Sequence, residues 1–352
     1  MMNQRTIKKA VSLKGIGLHT GKEVVLTFLP AEVGNGICFH RVDIKDAPLI
    51  KADVSNVVST LRGTTLQQNG IHINTVEHVL AALYGMGIDN VTIQLNGPEA
   101  PIMDGSALPF VQLIRQAGVE ELDKPKDYLE ITEPLRYFDE NSGAELIALP
   151  ADFFQVTTLI DFNSKTLGQQ YAALNSLDDF VEQIAPCRTF VFLHELEYLI
   201  EHDLIKGGDL SNAIVIVDSL MTREELNSLT KKLGKPNIRI DKEGILNTAE
   251  LFFNNEPARH KLLDVVGDLA LVGKPIKGKI MATKPGHSAN VEFAKMLKKK
   301  YIEQRRLRGI PKYDPNAEPI YNAAQIATFL PHRYPFFLVD KIIELGDDYV
   351  VG

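Results

Sequence analysis

The sequence predicts an α+β protein: two similar sheet-and-helix layered units followed by a short third segment. Three observations carry this reading. Stretches of alternating apolar and polar residues recur in both halves, and stretches with apolar residues three and four apart follow them. The run EELDKPKDY, residues 120–128, gathers charge and proline without apolar periodicity and separates the halves. A second break, RGIPKYDPNAEPI at 308–320, sets three prolines among polar residues and reads as a linker. The expected boundaries are residues 1–124, 125–305, a linker at 306–320 and a terminal segment at 321–352.

In the first half, EVVLTFLPA alternates, VGNG supplies a turn and GICFHRV resumes the strand pattern. TVEHVLAALYGMG, residues 75–87, aligns Val76, Val79, Leu80 and Leu83 on one helical face. Asn74 or Thr75 is its expected N-cap, and Gly85 or Gly87 its stop. NVTIQLNG returns to a strand, and LPFVQLIRQAG is an amphipathic helix closed by glycine. The second half repeats this grammar. YLEITEP, AELIALP, FQVTTLIDF and NAIVIVD read as strands. PARHKLLDVVGDLALVG is a helix, GKIMATKPG a strand and SANVEFAKMLKKKYIEQRR a closing helix. No sequence repeat joins the two halves. Beyond the linker, NAAQIATFL reads as a helix and FFLVDKIIELG as a strand. Some thirty residues are too few for an independent core.

Composition narrows the function. Hydrophobic residues make up 45% and charged residues 24%, enough for a sizeable core. A net charge of −7 argues against nucleic acid as a partner, and the basic runs KMLKKKY and EQRRLRG read as a solvated helix end. Cys38 and Cys187 form no CxxC pair, which suits a reducing compartment. The basic N-terminus lacks the apolar stretch of a signal peptide. No apolar run approaches the roughly 20 residues of a membrane span. The expected location is the cytoplasm.

The chemistry concentrates in HKLLDVVGD, residues 260–268. His260, Asp264 and Asp268 stand four apart, hence on one helical face. That face is either solvated, with a local ion pair, or part of a metal site. A catalytic zinc commonly takes three protein ligands, so a third must come from elsewhere. His78 in TVEHVLAAL is the candidate. Glu77 beside it points about 100° away round the helix, suited to act as a base on metal-held water rather than as a ligand. A glutamate in the first turn also suits the helix dipole alone. His287, in the turn KPGHSAN, is either an exposed histidine or an imidazolium that stabilises charge. Asp268 would orient it and raise its pKa.

Together, GIGLHTG, TVEHVLAAL, PIMDGSALPF, APCRTF and HKLLDVVGD closely resemble the UDP-3-O-acyl-N-acetylglucosamine deacetylase family over about residues 1–305. The resemblance implies two sheet-and-helix domains with the active site between them. It also implies the zinc-dependent release of acetate that commits a sugar nucleotide to lipid A synthesis. Carried over by motif, His78, His260 and Asp264 hold one Zn2+, with Fe2+ as an alternative by ligand type. Glu77 is the general base for attack by metal-bound water, His287 the acid or electrostatic stabiliser, Asp268 its support, and Thr189 an oxyanion partner. Phe162 resembles the residue stacking on uracil. Lys261 and Lys284 fall where the family contacts the diphosphate or sugar.

Some positions keep two readings. His19 is a substrate contact or a locally bonded turn residue. Phe190, Phe192 and Leu196 line an acyl groove or belong to the core. Asp104 and Gly105 read as a tight turn rather than catalytic residues. Gly63 stands where several family members carry a cysteine. The partner is a UDP-acyl-aminosugar.

NAAQIATFLPHRYPFFLVDKI, residues 322–342, resembles the start of a hot-dog β-hydroxyacyl-acyl carrier protein dehydratase. Acyl carrier protein would be a partner of a full-length dehydratase only. This segment lacks that family's catalytic histidine motif, so the dehydratase is expected to be incomplete and inactive. Rival readings are a zinc amidohydrolase for another acetylated substrate, and a non-catalytic scaffold.

Overall fold

The computed structural model describes residues 2–195, 206–208, 212–218, 244–246, 250–307, 313–333, 335–346 and 349–352. They fall into two compact units, residues 1–299 and 300–352. In chain order the larger unit begins with β1 (Asn3–Ile7), β2 (Val11–Ile16), β3 (Glu23–Pro30), β4 (Ile37–Arg41) and β5 (Leu49–Lys51). Next come β6 (Val57–Ser59), β7 (Thr65–Gln68), β8 (Ile71–Ile73), α1 (Glu77–Gly85), β9 (Val91–Leu95), α2 (Leu108–Ala117) and β10 (Val119–Pro125). It continues with β11 (Leu129–Glu130), β12 (Leu135–Phe138), β13 (Glu145–Leu149), β14 (Phe154–Asp161), β15 (Gln169–Leu174) and the short α3 (Phe180–Gln183). The last described elements are β16 (Phe190–Phe192), β17 (Ile214–Val217), β18 (Gly244–Ile245), α4 (Glu256–Leu269), β19 (Ile276–Thr283) and α5 (His287–Leu307).

Two sheets share one design. The first runs β2-β3-β9-β4-β5 and the second β12-β13-β19-β14-β15, with β11 also beside β19. In each, a late strand enters the centre, antiparallel to the inner strand of one hairpin and parallel to that of the other. The parallel pairing needs a crossover, and a helix directly precedes each central strand: α1 before β9, α4 before β19. Alternation in the sequence becomes a buried face. Val24, Leu26 and Phe28 of β3 and Val91, Ile93 and Leu95 of β9 are buried, as are Phe154, Val156 and Ile160 of β14.

The two crossover helices pack on one another, and α4 also lies against β14 and β15. Residues Glu77–Leu83 of α1 are all buried, including its two polar members. The polar positions His260, Asp264 and Asp268 of α4 are buried as well. Of the two readings left open for this face, the solvated one is excluded, since all three residues are turned inward. Gly267 sets the approach: a Cβ there would overlap the carbonyl oxygen of Glu77.

Local differences from expectation have physical causes. Helix α1 starts after Val76 with no side-chain cap. Thr75 instead adopts φ 57° and donates its hydroxyl to Glu99 Oε1 at 3.1 Å, since a buried carboxylate captures it. The run 120–128 is largely strand, because β10 pairs antiparallel with β1 as a ribbon whose charged side chains face outward. In YLEITEP only Leu129–Glu130 pairs, parallel to β19.

The unit 300–352 contains β20 (Tyr321–Asn322), α6 (Ala323–Phe329), β21 (Lys341–Ile342), β22 (Glu344–Leu345) and β23 (Val350–Val351). The expected helix is present, opened by a capping box between Asn322 and Gln325. The expected strand over 336–346 is reduced to two short pieces. Phe336 and Leu338 remain 74% and 86% exposed, with no neighbouring strand to cover them. The expected hot-dog sheet is not seen among the described residues.

Gly267→Ala tests the helix contact. Glycine to alanine inside a helix ordinarily stabilises by about 0.5–1 kcal/mol. Here the overlap with the Glu77 backbone reverses the sign, for a net loss of about 1–3 kcal/mol. A lower urea midpoint is the expected result.

Candidate metal centre

His78 is the second residue of α1, while His260 and Asp264 share a face of α4. Packing α1 on α4 brings one ligand atom from each within 4.8 Å of the others. His260 Nε2 lies 3.5 Å and His78 Nε2 3.9 Å from Asp264 Oδ1, and the two rings meet edge-on with centroids 5.0 Å apart. Asp264 Oδ1 is buried and has no hydrogen-bond partner, although Oδ2 accepts from Lys261 Nζ at 2.9 Å. A buried carboxylate oxygen left bare between two imidazoles is costly unless something positive sits there. His260 Nδ1 lies 3.0 Å from the carbonyl oxygen of Cys187, which fixes the proton on Nδ1 and leaves Nε2 as a lone-pair donor.

Ionisation suits the same purpose. Burial, reinforced by neighbouring His260, pushes His78 down to about 3. Burial also lowers His260. Burial would raise Asp264, but Lys261 and the surrounding histidines hold it well below the usual carboxylate range. Two neutral imidazoles and one carboxylate form a donor set that zinc accepts.

Beside these three residues lie Glu77 and His287. Glu77 accepts the Thr64 backbone N–H at Oε2, 3.0 Å away. Burial raises its pKa to about 7; His287 opposes the rise, and Asp268 and Asp264 add to it. His287 opens α5, and its Nδ1 is 2.9 Å from Asp268 Oδ2. Its Nε2 lies 4.0 Å from Glu77 Oε1 and 3.9 Å from Asp264 Oδ2. Burial would lower this imidazole, but the charges of Asp268 and Asp264 hold it up at about 9. At neutral pH it is an imidazolium beside a carboxyl group poised to exchange a proton.

The APCRTF stretch is clamped to the start of α4. Glu256, fully buried, accepts Arg188 Nε at 2.9 Å and the Arg188 backbone N–H at 3.0 Å on Oε1. That clamp positions the Cys187 carbonyl against His260. Thr189 is fixed through its backbone, donating to Gly105 O and accepting from the Ile214 N–H. Asp104 and Gly105 form the expected turn. Asp104 Oδ1 accepts from the Ser106 N–H and hydroxyl, and Gly105 has φ 83°, where a Cβ would overlap the Asn212 carbonyl oxygen.

The expected substrate contacts divide. Phe162, 41% exposed, lies 5.5 Å from Phe190 and 5.6 Å from Phe192, measured between ring centroids. Lys261 Nζ sits 5.7 Å over the Phe190 ring, joining this cluster to the ligand helix. Phe192 is buried with Ile214 and Ile216. Lys284 Nζ is 3.3 Å from Asp161 Oδ2, one residue before Phe162. His19 lies in a loop whose backbone N–H donates to Glu99 Oε1 at 2.9 Å. Leu196 falls outside the described residues. Sequence reasoning missed Thr64, Asn290, Glu99 and the Arg188–Glu256 clamp. The clamp and Asn290 had a signal, since Arg188 stands inside APCRTF and Asn290 closes KPGHSAN, both already singled out.

Fold and site define a candidate metal-dependent enzyme of the α+β class. The profile of the family described as LpxC, UDP-3-O-acyl N-acetylglycosamine deacetylase, matches residues 4–231 and 229–299. The chain belongs to this family. It is 47% identical over 352 residues to the bifunctional enzyme LpxC/FabZ of Porphyromonas gingivalis, covering 100% of this chain and 76% of that protein. It is 46% identical to the enzyme of the same name from Chlorobaculum tepidum, over 99% of this chain and 75% of that protein. Identity to the UDP-3-O-acyl-N-acetylglucosamine deacetylase of Geotalea uraniireducens is 40% over 294 residues, 83% of this chain and 87% of that protein. Among the described residues no helix is long and apolar enough to cross a membrane.

The imidazolium makes the metal-free protein sensitive to alkali. His287 is raised from 6.5 to about 9 in the folded state, so its contribution is full below 6.5 and is lost as pH rises through 9. Glu77, raised from 4.5 to about 7, acts in the same direction. The urea midpoint of the metal-free protein should therefore fall between pH 6.5 and pH 9, and His287→Gln should flatten that slope.

Proposed function

We propose that this chain is a zinc-dependent amidohydrolase, with iron(II) an alternative metal. On this reading it removes the N-acetyl group from UDP-3-O-acyl-N-acetylglucosamine, giving UDP-3-O-acyl-glucosamine and acetate for lipid A biosynthesis. The observation that carries the reading is the bare, buried Asp264 Oδ1 between the Nε2 atoms of His78 and His260, with Glu77 and His287 alongside. His78, His260 and Asp264 would hold the metal. When bound, it supplies Lewis acidity and a more acidic water.

The remaining work belongs to the side chains. Glu77, with a pKa near 7, takes the proton of the attacking water; a base is most effective when its pKa lies near the working pH. The His287 imidazolium, held by Asp268, faces the negative charge that develops on the amide carbonyl, with Thr189 as a second donor. The departing amine takes its proton from Glu77 or His287. Phe162 offers a face for the uracil, and the ammonium groups of Lys261 and Lys284 would turn from Asp264 and Asp161 towards the diphosphate. Phe190 and Phe192 begin the apolar wall for the acyl chain, and His19 is a further substrate contact.

The like design of the two sheets supports two layered domains, residues 1–124 and 125–305, with the substrate between them. Residues 306–320 would be a linker, and 321–352 the start of a dehydratase-type domain, the part for which acyl carrier protein is the partner. The site of action is the cytoplasm.

Acetate release from UDP-3-O-acyl-N-acetylglucosamine should vanish when metal is stripped and return with zinc. Glu77→Ala should lower kcat by about 10²–10⁴-fold with metal content intact. His260→Ala should lose the metal itself. A folded, zinc-loaded protein without turnover would refute the substrate and turn attention to other acetylated amides.

A further inference from the structure

We propose that Thr64 is a positioning residue that ties the base Glu77 and the Asp268–His287 pair into one unit; this rests on the reading above. Thr64 is fully buried and uses every polar atom it has. Its backbone N–H donates to Glu77 Oε2 at 3.0 Å. Its carbonyl accepts the N–H of Val76, the residue just before α1, at 3.3 Å. Its hydroxyl donates to Asp268 Oδ1 at 2.6 Å. One residue thus touches the start of α1 and the end of α4, while Asp268 Oδ2 receives His287 and Asn290 of α5 at 2.9 Å each.

The hydroxyl decides how the Asp268 carboxylate is turned. Asp268 is fully buried, and its carboxylate is bonded by Thr64, His287 and Asn290. Thr64 occupies Oδ1, which leaves Oδ2 for His287 and Asn290. Branching at Cβ restricts the threonine rotamer, so the hydroxyl is fixed relative to the backbone that holds Glu77. The 4.0 Å separation of His287 Nε2 from Glu77 Oε1 is then set through Thr64. Without the hydroxyl, a buried carboxylate loses one of three bonds and is free to rotate, and the imidazolium loses its fixed place beside the base. None of the three Thr64 bonds reaches His78, His260 or Asp264, so metal retention is not the property at stake.

Thr64→Val keeps the shape and both backbone bonds but removes the donor. Its kcat should fall about ten- to a hundredfold, the size of one charge-assisted hydrogen bond. KM should stay within about twofold and metal content should match the wild type. Thr64→Ser should restore kcat. Thr64→Ala, whose cavity admits a water, is the second variant and should lose less than valine. In metal-free protein, the downfield Nδ1 proton resonance of His287 should shift in Thr64→Val and return in Thr64→Ser. Wild-type kcat in both Thr64→Val and Thr64→Ala, or an unmoved His287 resonance, overturns the proposal. So does a kcat loss that serine fails to rescue, or one that tracks metal content. Absence of turnover in the wild type would instead refute the substrate reading, and the resonance test would still decide the Thr64 coupling.

Discussion

The site depends on the close approach of α1 and α4. Neither helix offers the candidate donor set alone: α1 carries one of its three residues and α4 carries two. They meet because Gly267 lets the backbone of α4 reach the backbone carrying Glu77. Any side chain at that point would separate His78 from His260 and Asp264, and Glu77 from Asp268. Both helices are largely apolar and buried, with Val79, Leu80 and Leu83 on α1 and Leu262, Val265 and Val266 on α4. Hydrophobic packing of this kind decides where the helices come to rest, and the polar groups arrive as passengers on it.

Those passengers carry much buried charge, and the structure shows how it is balanced. Asp264 is offset by Lys261, and Asp268 by His287, Asn290 and Thr64. Glu77 accepts a backbone N–H, which favours its charged form, but burial outweighs that bond and raises its pKa to about 7. Asp264 and Glu77 lie close together but sit in different surroundings, and their pKa values separate: the first is held low and the second is raised to about 7. Separation of this kind is how similar groups acquire different chemical roles.

Much of this was legible in the sequence. Period-two stretches marked the main strands, and helical spacing marked α1, α2, α4 and α5. The i, i+4 spacing of His260, Asp264 and Asp268 placed them on one face. What spacing could not show was whether that face met solvent or α1, because burial is a property of the partner helix. The same limit hid Thr64, which stands 204 residues from Asp268 and belongs to no periodic element. The charged run at 120–128 was read as a break because an exposed two-stranded ribbon needs no apolar face. In the smaller unit, FFLVDKIIELG has the composition of a strand, but among the described residues only Lys341–Ile342 and Glu344–Leu345 of it are paired, and a strand needs a partner.

The strand order of the two large sheets bears on how the chain assembles. In each, the central strand is the last of its five to be synthesised, so the sheet is two separate hairpins until that strand inserts. The segment immediately ahead of each inserting strand is a helix that carries candidate ligands, α1 before β9 and α4 before β19. The first helix brings His78 and the second brings His260 and Asp264, so the triad that could hold a metal is out of reach until α4 has been made.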